Sequence, residues 1–322
     1  MTLYSHAESN IRKTWLYLTF FFVLIIVLGW VISYWLGSSA ILWLAVIFSI
    51  LMSFISYWNS DKIVLAITKA KPIEKKDNPE LYRIIENLCI TAGLPLPKIY
   101  ILEEAQLNAF AAGRNPKNAV VAVTRGLLEK LDRTELEGVI AHELSHIGNK
   151  DMLLATIIVV LVGIVVIIAD FFFRLSFYGR GRSDREGRGG QIMILVALAL
   201  AILAPLLATL TRLAISRKRE FLADATGSLL TRYPEGLARA LEKISQDSRP
   251  LRVANNATAH LYISNPFQGK EKTSWLQRLF MTHPPIEERI KALRGMKNYV
   301  KEINLFSIFV SAKRKLDYGK KN

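Results

Sequence analysis

The chain has 322 residues, of which 51% are hydrophobic, and a formal net charge of +15, with a mean hydropathy of +0.25 that is high for a soluble domain and directs attention to long apolar runs. Its single cysteine, Cys89, excludes an intramolecular disulfide and reads as a buried apolar residue in a reducing compartment. The basic residues crowd beside the apolar runs and in the tail Ala312-Lys313-Arg314-Lys315, with no recognisable nucleic-acid module, so the charge is read as orientation in a membrane and attraction to anionic lipid.

In chain order, no Asp, Glu, Lys or Arg occurs from Thr14 through Ser60. That is long enough for two membrane helices of roughly 20 residues each. The break Gly37-Ser38-Ser39-Ala40 divides them. A cleaved signal peptide has an apolar core of only about 7–15 residues, so the segment is read as a retained anchor. Arg12 and Lys13 precede it, the turn carries no charge and Lys62 follows, which puts both ends of this hairpin in the cytoplasm.

Asp77-Asn78-Pro79-Glu80 predicts a helix start, with Leu81, Ile84, Ile85 and Leu88 at helical spacing and a stop at Ala92-Gly93. Lys98–Leu102, Ala109–Ala112 and Ala119–Val123 predict short strands, the last two around the turn Gly113-Arg114-Asn115-Pro116. Helices are expected on both sides of Asp132. Thr134 followed by Glu137 resembles a capping box for the second of them, which runs through Leu136, Val139, Ile140 and Leu144 to about Ile147. The charge-free runs Met152–Ala169 and Gln191–Thr211 predict a second membrane hairpin, joined by a Gly, Arg and Ser rich loop between Ser176 and Gly190 that reads as disordered. Arg217–Thr231 and Pro234–Ser245 are again helical in pattern, and Pro284-Pro285-Ile286-Glu287 opens one more helix.

The chemistry-bearing pattern is His142-Glu143-Leu144-Ser145-His146. On a helix, imidazoles four residues apart share a face and can bind one zinc, while Glu143 is placed to act as general base for the attack of water on a carbonyl. A catalytic zinc needs a third protein ligand. Glu220 is the candidate, with Asp224 four residues on and suited to hold the far nitrogen of a ligand histidine. The competing reading pairs Glu220 with the basic residues that anchor the end of an apolar span. His6 and His260 have no companions at ligand spacing and are assigned no role.

Taken together, Asn108-Ala109-Phe110-Ala111, His142 to His146, Arg219 to Ala225 and Thr282-His283-Pro284-Pro285 resemble the HtpX family of membrane metallopeptidases, relatives of the CAAX prenyl endopeptidases. The resemblance implies that His142, His146 and Glu220 bind one Zn2+ per chain, that Glu143 is catalytic and that Asp224 supports the metal. It also implies that Asn108, Ala109 and Phe110 belong to an edge strand on which substrate adds, and that His283 helps stabilise the oxyanion. For the strand the other reading is a plain buried strand, and for Thr282-His283-Pro284-Pro285 it is only a helix start.

The expectation is therefore a multi-pass α-helical membrane protein with a mostly α, zincin-like catalytic domain carrying a small β-sheet. Residues 1–60 form the anchor, 61–151 and 216–322 the two parts of the peptidase domain, and 152–215 the second hairpin. The expected activity is hydrolysis of misfolded or damaged membrane proteins and flexible polypeptides, in the cell (inner) membrane with the catalytic domain facing the cytoplasm. Its partners are then polypeptide substrates and the bilayer, with no nucleic acid. A CAAX-type prenyl peptidase is the enzymatic alternative, for which the chain has too few spans. A silent scaffold tied by a structural metal is the other, and no fourth protein ligand for it is evident.

Overall fold

The computed structural model describes residues 3–162, 217–254, 258–267 and 284–296. Helix α1 (Leu3–Leu36) turns at Gly37, whose φ of +63° suits glycine, into α2 (Ser39–Trp58). Both are long and apolar enough to cross a bilayer, over Asn10–Val27 and Ser39–Trp58. Their outward side chains, Leu16, Leu44 and Phe54 among them, are large, apolar and exposed, which suits lipid rather than water. Trp15 stacks on Tyr57 across the hairpin with ring centres 5.8 Å apart.

A short helix, α3 (Ser60–Thr68), and a two-residue strand, β1 (Lys71–Pro72), follow; neither had a clear pattern in the sequence. Helix α4 (Pro79–Ala92) is capped by Asn78, whose side chain accepts from the Leu81 N–H, and it stops at Gly93 in the left-handed region at φ +64°. Cys89 is buried on it. Then come β2 (Lys98–Leu102), β3 (Ala109–Gly113), β4 (Ala119–Thr124), α5 (Arg125–Lys130) and α6 (Arg133–Gly148). The four strands form one mixed sheet in the order β1-β2-β4-β3, with β2 and β4 parallel and the other pairs antiparallel.

Every residue of β4 is buried, which explains its run of Ala and Val before the closing Thr124. Phe110, Ala112, Val120 and Ala122 face a core shared with α1 and the helix after α6, whereas Ala109, Ala111, Val121 and Val123 face a core shared with α4 and α6. The sheet thus separates the membrane hairpin from the helix that carries the chemistry.

The cap of α6 differs from the sequence expectation. Asp132, not Thr134, is the N-cap, accepting from the Glu135 N–H while the Glu135 carboxylate returns to the Asp132 N–H. The expected partners are engaged elsewhere: the Thr134 hydroxyl donates to Asp132, and Glu137 pairs with Arg133 one turn back.

After α6 the chain bends by 84° into α7 (Asp151–Val162). The remainder of the expected second hairpin and its Arg-rich loop, 163–216, lies outside the described residues. Beyond it are α8 (Arg217–Thr231), α9 (Pro234–Gln246), a 3₁₀ turn at Ala259–Leu261 and α10 (286–296). Two glycines let helices meet backbone to backbone. A Cβ on Gly227 of α8 would come within 2.9 Å of the His142 nitrogen, and one on Gly138 of α6 within 2.6 Å of the Leu237 nitrogen of α9.

Candidate metal centre and the strand beside it

Helix α6 is packed on nearly every side, so His142, Glu143 and Leu144 are all buried although they point in different directions. The contact at Gly227 brings α8 close enough for Glu220 to face both histidines. The His142 and His146 Nε2 atoms are 3.2 Å apart, and the Glu220 oxygens stand 3.8 Å from the first and 3.6 Å from the second. Ligands bound at 2.0–2.1 Å in a tetrahedral zinc site are separated by about 3.3 Å. The two nitrogens already stand at that separation, the Glu220 carboxylate faces both through different oxygens, and the His, His, carboxylate donor set fits zinc. All three donors lie within 4.8 Å of one another.

The far nitrogens are held as metal-binding histidines require. His142 Nδ1 faces Asp224 Oδ1 at 2.8 Å, and His146 Nδ1 faces Asp151 Oδ2 at 3.2 Å. Arg289 of α10, wholly buried, donates through Nε and Nη2 to the two oxygens of Asp224 at 2.8 and 2.7 Å, and through Nη1 to the Ile263 carbonyl at 3.0 Å. Against the cost of burial, Arg289 and His142 bring the Asp224 carboxyl down to about 2. Burial keeps His142 below its ordinary range despite Asp224. For His146 burial acts in the same direction, but Asp151, Glu220 and Glu143 outweigh it and push the imidazole up to about 9. The field at that ring thus favours a positive charge, which a metal ion can supply in place of the proton.

Glu143 lies on the same cavity. Burial, with Glu220 adding to it, pushes its carboxyl up to about 7, and the Ala111 N–H of β3 donates to it. The cavity has a volume of about 40 Å³, room for a few waters, and is lined by Ala111 on one side and by the turn from His260 to Ile263 on the other.

The family resemblance implies an edge strand at Asn108–Ala111. β3 is an edge strand of the sheet, but it begins at Ala109. Asn108 is fully buried before it, where its side chain bonds the Ala109 N–H, Gln106 and the Ser264 backbone. The Thr124 N–H donates to the Asn108 carbonyl, and the register then pairs Phe110 inward with Ala122 and turns Ala109, Ala111 and Gly113 outward. That outward edge is partly taken within the chain. Ile263 N–H donates to the Ala109 carbonyl at 3.0 Å, and Gly113 N–H to the Thr156 hydroxyl at 3.2 Å. Phe110 points to the other core, edge-on to Tyr262 at 5.4 Å. His283 lies outside the described residues. Three residues at the site were not singled out in the sequence: Asp151, Asn10 and Arg289. His260, given no role, borders the cavity with Nε2 3.0 Å from the Ala155 carbonyl.

Residues 75–297 match the model for Peptidase family M48. The chain is 46% identical over 300 residues to the Protease HtpX homolog of Thermoanaerobacter pseudethanolicus, a match covering 92% of this chain and 98% of that one. It is 48% identical over 268 residues to the Protease HtpX homolog of Thermococcus sibiricus, covering 82% and 89%. Among solved structures it is similar to S. mikatae Ste24p at 20% identity and a TM-score of 0.47, over 88% of this chain and 67% of that chain.

Proposed function

The chain belongs to peptidase family M48 and is a membrane metalloprotease, and from that premise we propose that it is a zinc endopeptidase that removes damaged or misassembled membrane proteins and flexible polypeptides at the cytoplasmic face of the inner membrane. In this reading His142, His146 and Glu220 hold one zinc, Glu143 is the general base, and Asp224 fixes the His142 ring. The observation that carries it is the three-donor cluster, its ligand atoms within 4.8 Å of one another, with Glu143 on the same cavity.

When bound there, zinc supplies a Lewis acid that polarises a carbonyl and makes water acidic enough to attack near neutral pH. Asp224 and Asp151 accept from the Nδ1 atoms and so keep the Nε2 lone pairs of His142 and His146 turned to the shared position. Glu143 takes the proton of the attacking water and passes it to the leaving amine. Its burial keeps bulk water from competing for that proton. The substrate backbone lies against the part of the β3 edge at Ala111 that faces the cavity, where the Ala111 carbonyl is the main-chain group on offer while its N–H is held by Glu143, so binding tolerates varied side chains. His283 is assigned to the developing oxyanion.

Orientation is supported by the contact of Asn10, at the outset of the first span, with Asp151 and Arg219 beside the metal ligands. The N-terminal end of α1 and the metal centre lie on one side of the membrane, and Arg12, Lys13 and Lys62 make that side the cytoplasm. The reading keeps 1–60 as anchor, 61–151 and 216–322 as the two parts of the peptidase, and 152–215 as a second hairpin, with multiple passes.

The test is Glu143→Gln, which keeps size and helix pattern while removing the base. It should retain about one zinc per chain and lose casein cleavage by roughly 10²–10⁴-fold. Wild-type turnover by this variant would sink the mechanism.

A further inference from the structure

Asn10 is a polar residue buried at the beginning of the first span, 4% exposed. An amide in that position is costly unless its groups are bonded, and here both are. Its Nδ2 donates to Asp151 Oδ1 at 2.5 Å, and its Oδ1 accepts from Arg219 Nη1 at 3.1 Å, partners 141 and 209 residues away in the chain. The other oxygen of Asp151 faces His146 Nδ1 at 3.2 Å. An amide is the group this place requires. A carboxylate would repel Asp151, an ammonium would repel Arg219, and an apolar side chain would leave each with one partner fewer.

We propose that Asn10 is a positioning residue of the metal centre, acting through Asp151 to fix the ring of His146, so that the first membrane helix helps to assemble the ligand set. The inference rests on the reading of His146 as a metal ligand. Asp151 needs to present one oxygen to Nδ1 with little freedom of rotation. Arg219 reaches it only at the edge of ion-pair distance, with Nε 4.0 Å from Oδ1, whereas the Asn10 amide bonds that same oxygen directly. Pinned in this way, Asp151 holds the proton on Nδ1 and leaves Nε2 free to coordinate. A catalytic part separated from α1 would keep all its named ligands and still bind metal less tightly.

The experiment measures the zinc dissociation constant of the full chain in detergent by competition with a chromophoric chelator, together with the visible spectrum of the cobalt-loaded protein. Asp151→Ala should weaken zinc about 10–100-fold, and Asn10→Ala on the order of tenfold with a shifted cobalt spectrum. In the Asp151→Ala background, Asn10→Ala should change the affinity by less than about twofold, because the route through Asp151 is already gone. Leu18→Ala, on the same helix, removes only apolar packing; it should lower the unfolding temperature and leave zinc affinity as in wild type. Asn10→Asp keeps the shape while setting a carboxylate against Asp151, and it tests the same link if the alanine variant does not fold. Wild-type affinity and spectrum in Asn10→Ala, full additivity with Asp151→Ala, or equal weakening by Leu18→Ala would each overturn the role of Asn10. If His146→Ala holds zinc as tightly as wild type, the ligand assignment itself falls, and this role with it.

Discussion

Arg289 and Asp224 form a two-pronged ion pair, Nε to Oδ2 at 2.8 Å and Nη2 to Oδ1 at 2.7 Å, with neither side chain reaching solvent. Removing one member of a buried pair leaves the other charge uncompensated, at a cost of about 3–5 kcal/mol. Arg289→Met should therefore lower the unfolding free energy by that amount in thermal or denaturant unfolding. Arg289→Lys should recover only part of it, since an ammonium cannot match both carboxylate oxygens and also reach the Ile263 carbonyl. Unchanged stability in Arg289→Met would show that the pair contributes nothing.

Gly227→Ala tests the close approach of α8 to α6. The added Cβ would meet the His142 nitrogen at 2.9 Å and the Ala141 carbonyl carbon at 3.1 Å, so the helices must separate, at a cost of about 1–3 kcal/mol. Because Glu220 and Asp224 ride on α8, zinc affinity should fall as well. Gly295→Ala, where a Cβ meets nothing within 4 Å, is the matched control and should be neutral or slightly stabilising. Equal behaviour of the two variants, measured by thermal unfolding and chelator competition, would dismiss the close contact.

Proline at neighbouring positions of β3 should act differently. Phe110→Pro loses the inward bond toward Ala122 and the ring that packs on Tyr262, and it should cost about 3–5 kcal/mol or prevent folding. Ala109→Pro loses a bond to the Asn108 side chain alone, at about 1 kcal/mol. Ile263→Pro removes the donor that occupies the Ala109 carbonyl. It should cost about 2–5 kcal/mol, most of it from loss of the buried Ile263 side chain, and raise turnover of an unfolded substrate in the folded variant by freeing that acceptor. Lower turnover with normal zinc content would mean that Ile263 supports the groove instead of covering it.

Metal removal should lower stability. Zinc at a hundred times its dissociation constant stabilises the folded state by about 2.7 kcal/mol, so a chelator should bring down the unfolding temperature of wild type and leave Glu220→Gln nearly unmoved. A chelator effect of equal size in both proteins would remove Glu220 from the ligand set.

What could be read from the sequence was local. Asn78-Pro79 and Gly93 mark the ends of α4 through their own backbone chemistry, and the His142/His146 spacing predicts a shared face wherever a helix forms. The capping box expected at Thr134 and Glu137 lies instead at Asp132 and Glu135, because Thr134 and Glu137 find other partners once the helix is packed. Asn10, Asp151 and Arg289 each look ordinary alone: a polar residue before an apolar run, an acid after a helix, a base on an amphipathic helix. Their meaning arises from contacts across 141 and 65 residues of chain. The coverage of β3 by Ile263 is a backbone bond and leaves no mark in side-chain pattern.

If substrate adds to the β3 edge as proposed, the bond from Ile263 to Ala109 makes local stability of the target the selector. With the Ala109 carbonyl, the Ala109 N–H and the Gly113 N–H all bonded within the chain, little of the edge is left to read a sequence. Holding a residue in extended form costs about 1–2 kcal/mol of backbone entropy. A segment already folded elsewhere must first give up its own structure as well, so the few main-chain bonds on offer suffice for a frayed segment and fall short for a native one. On the proposed reading, discrimination between sound and damaged proteins would need no recognition motif, only a groove too poor in contacts to unfold anything.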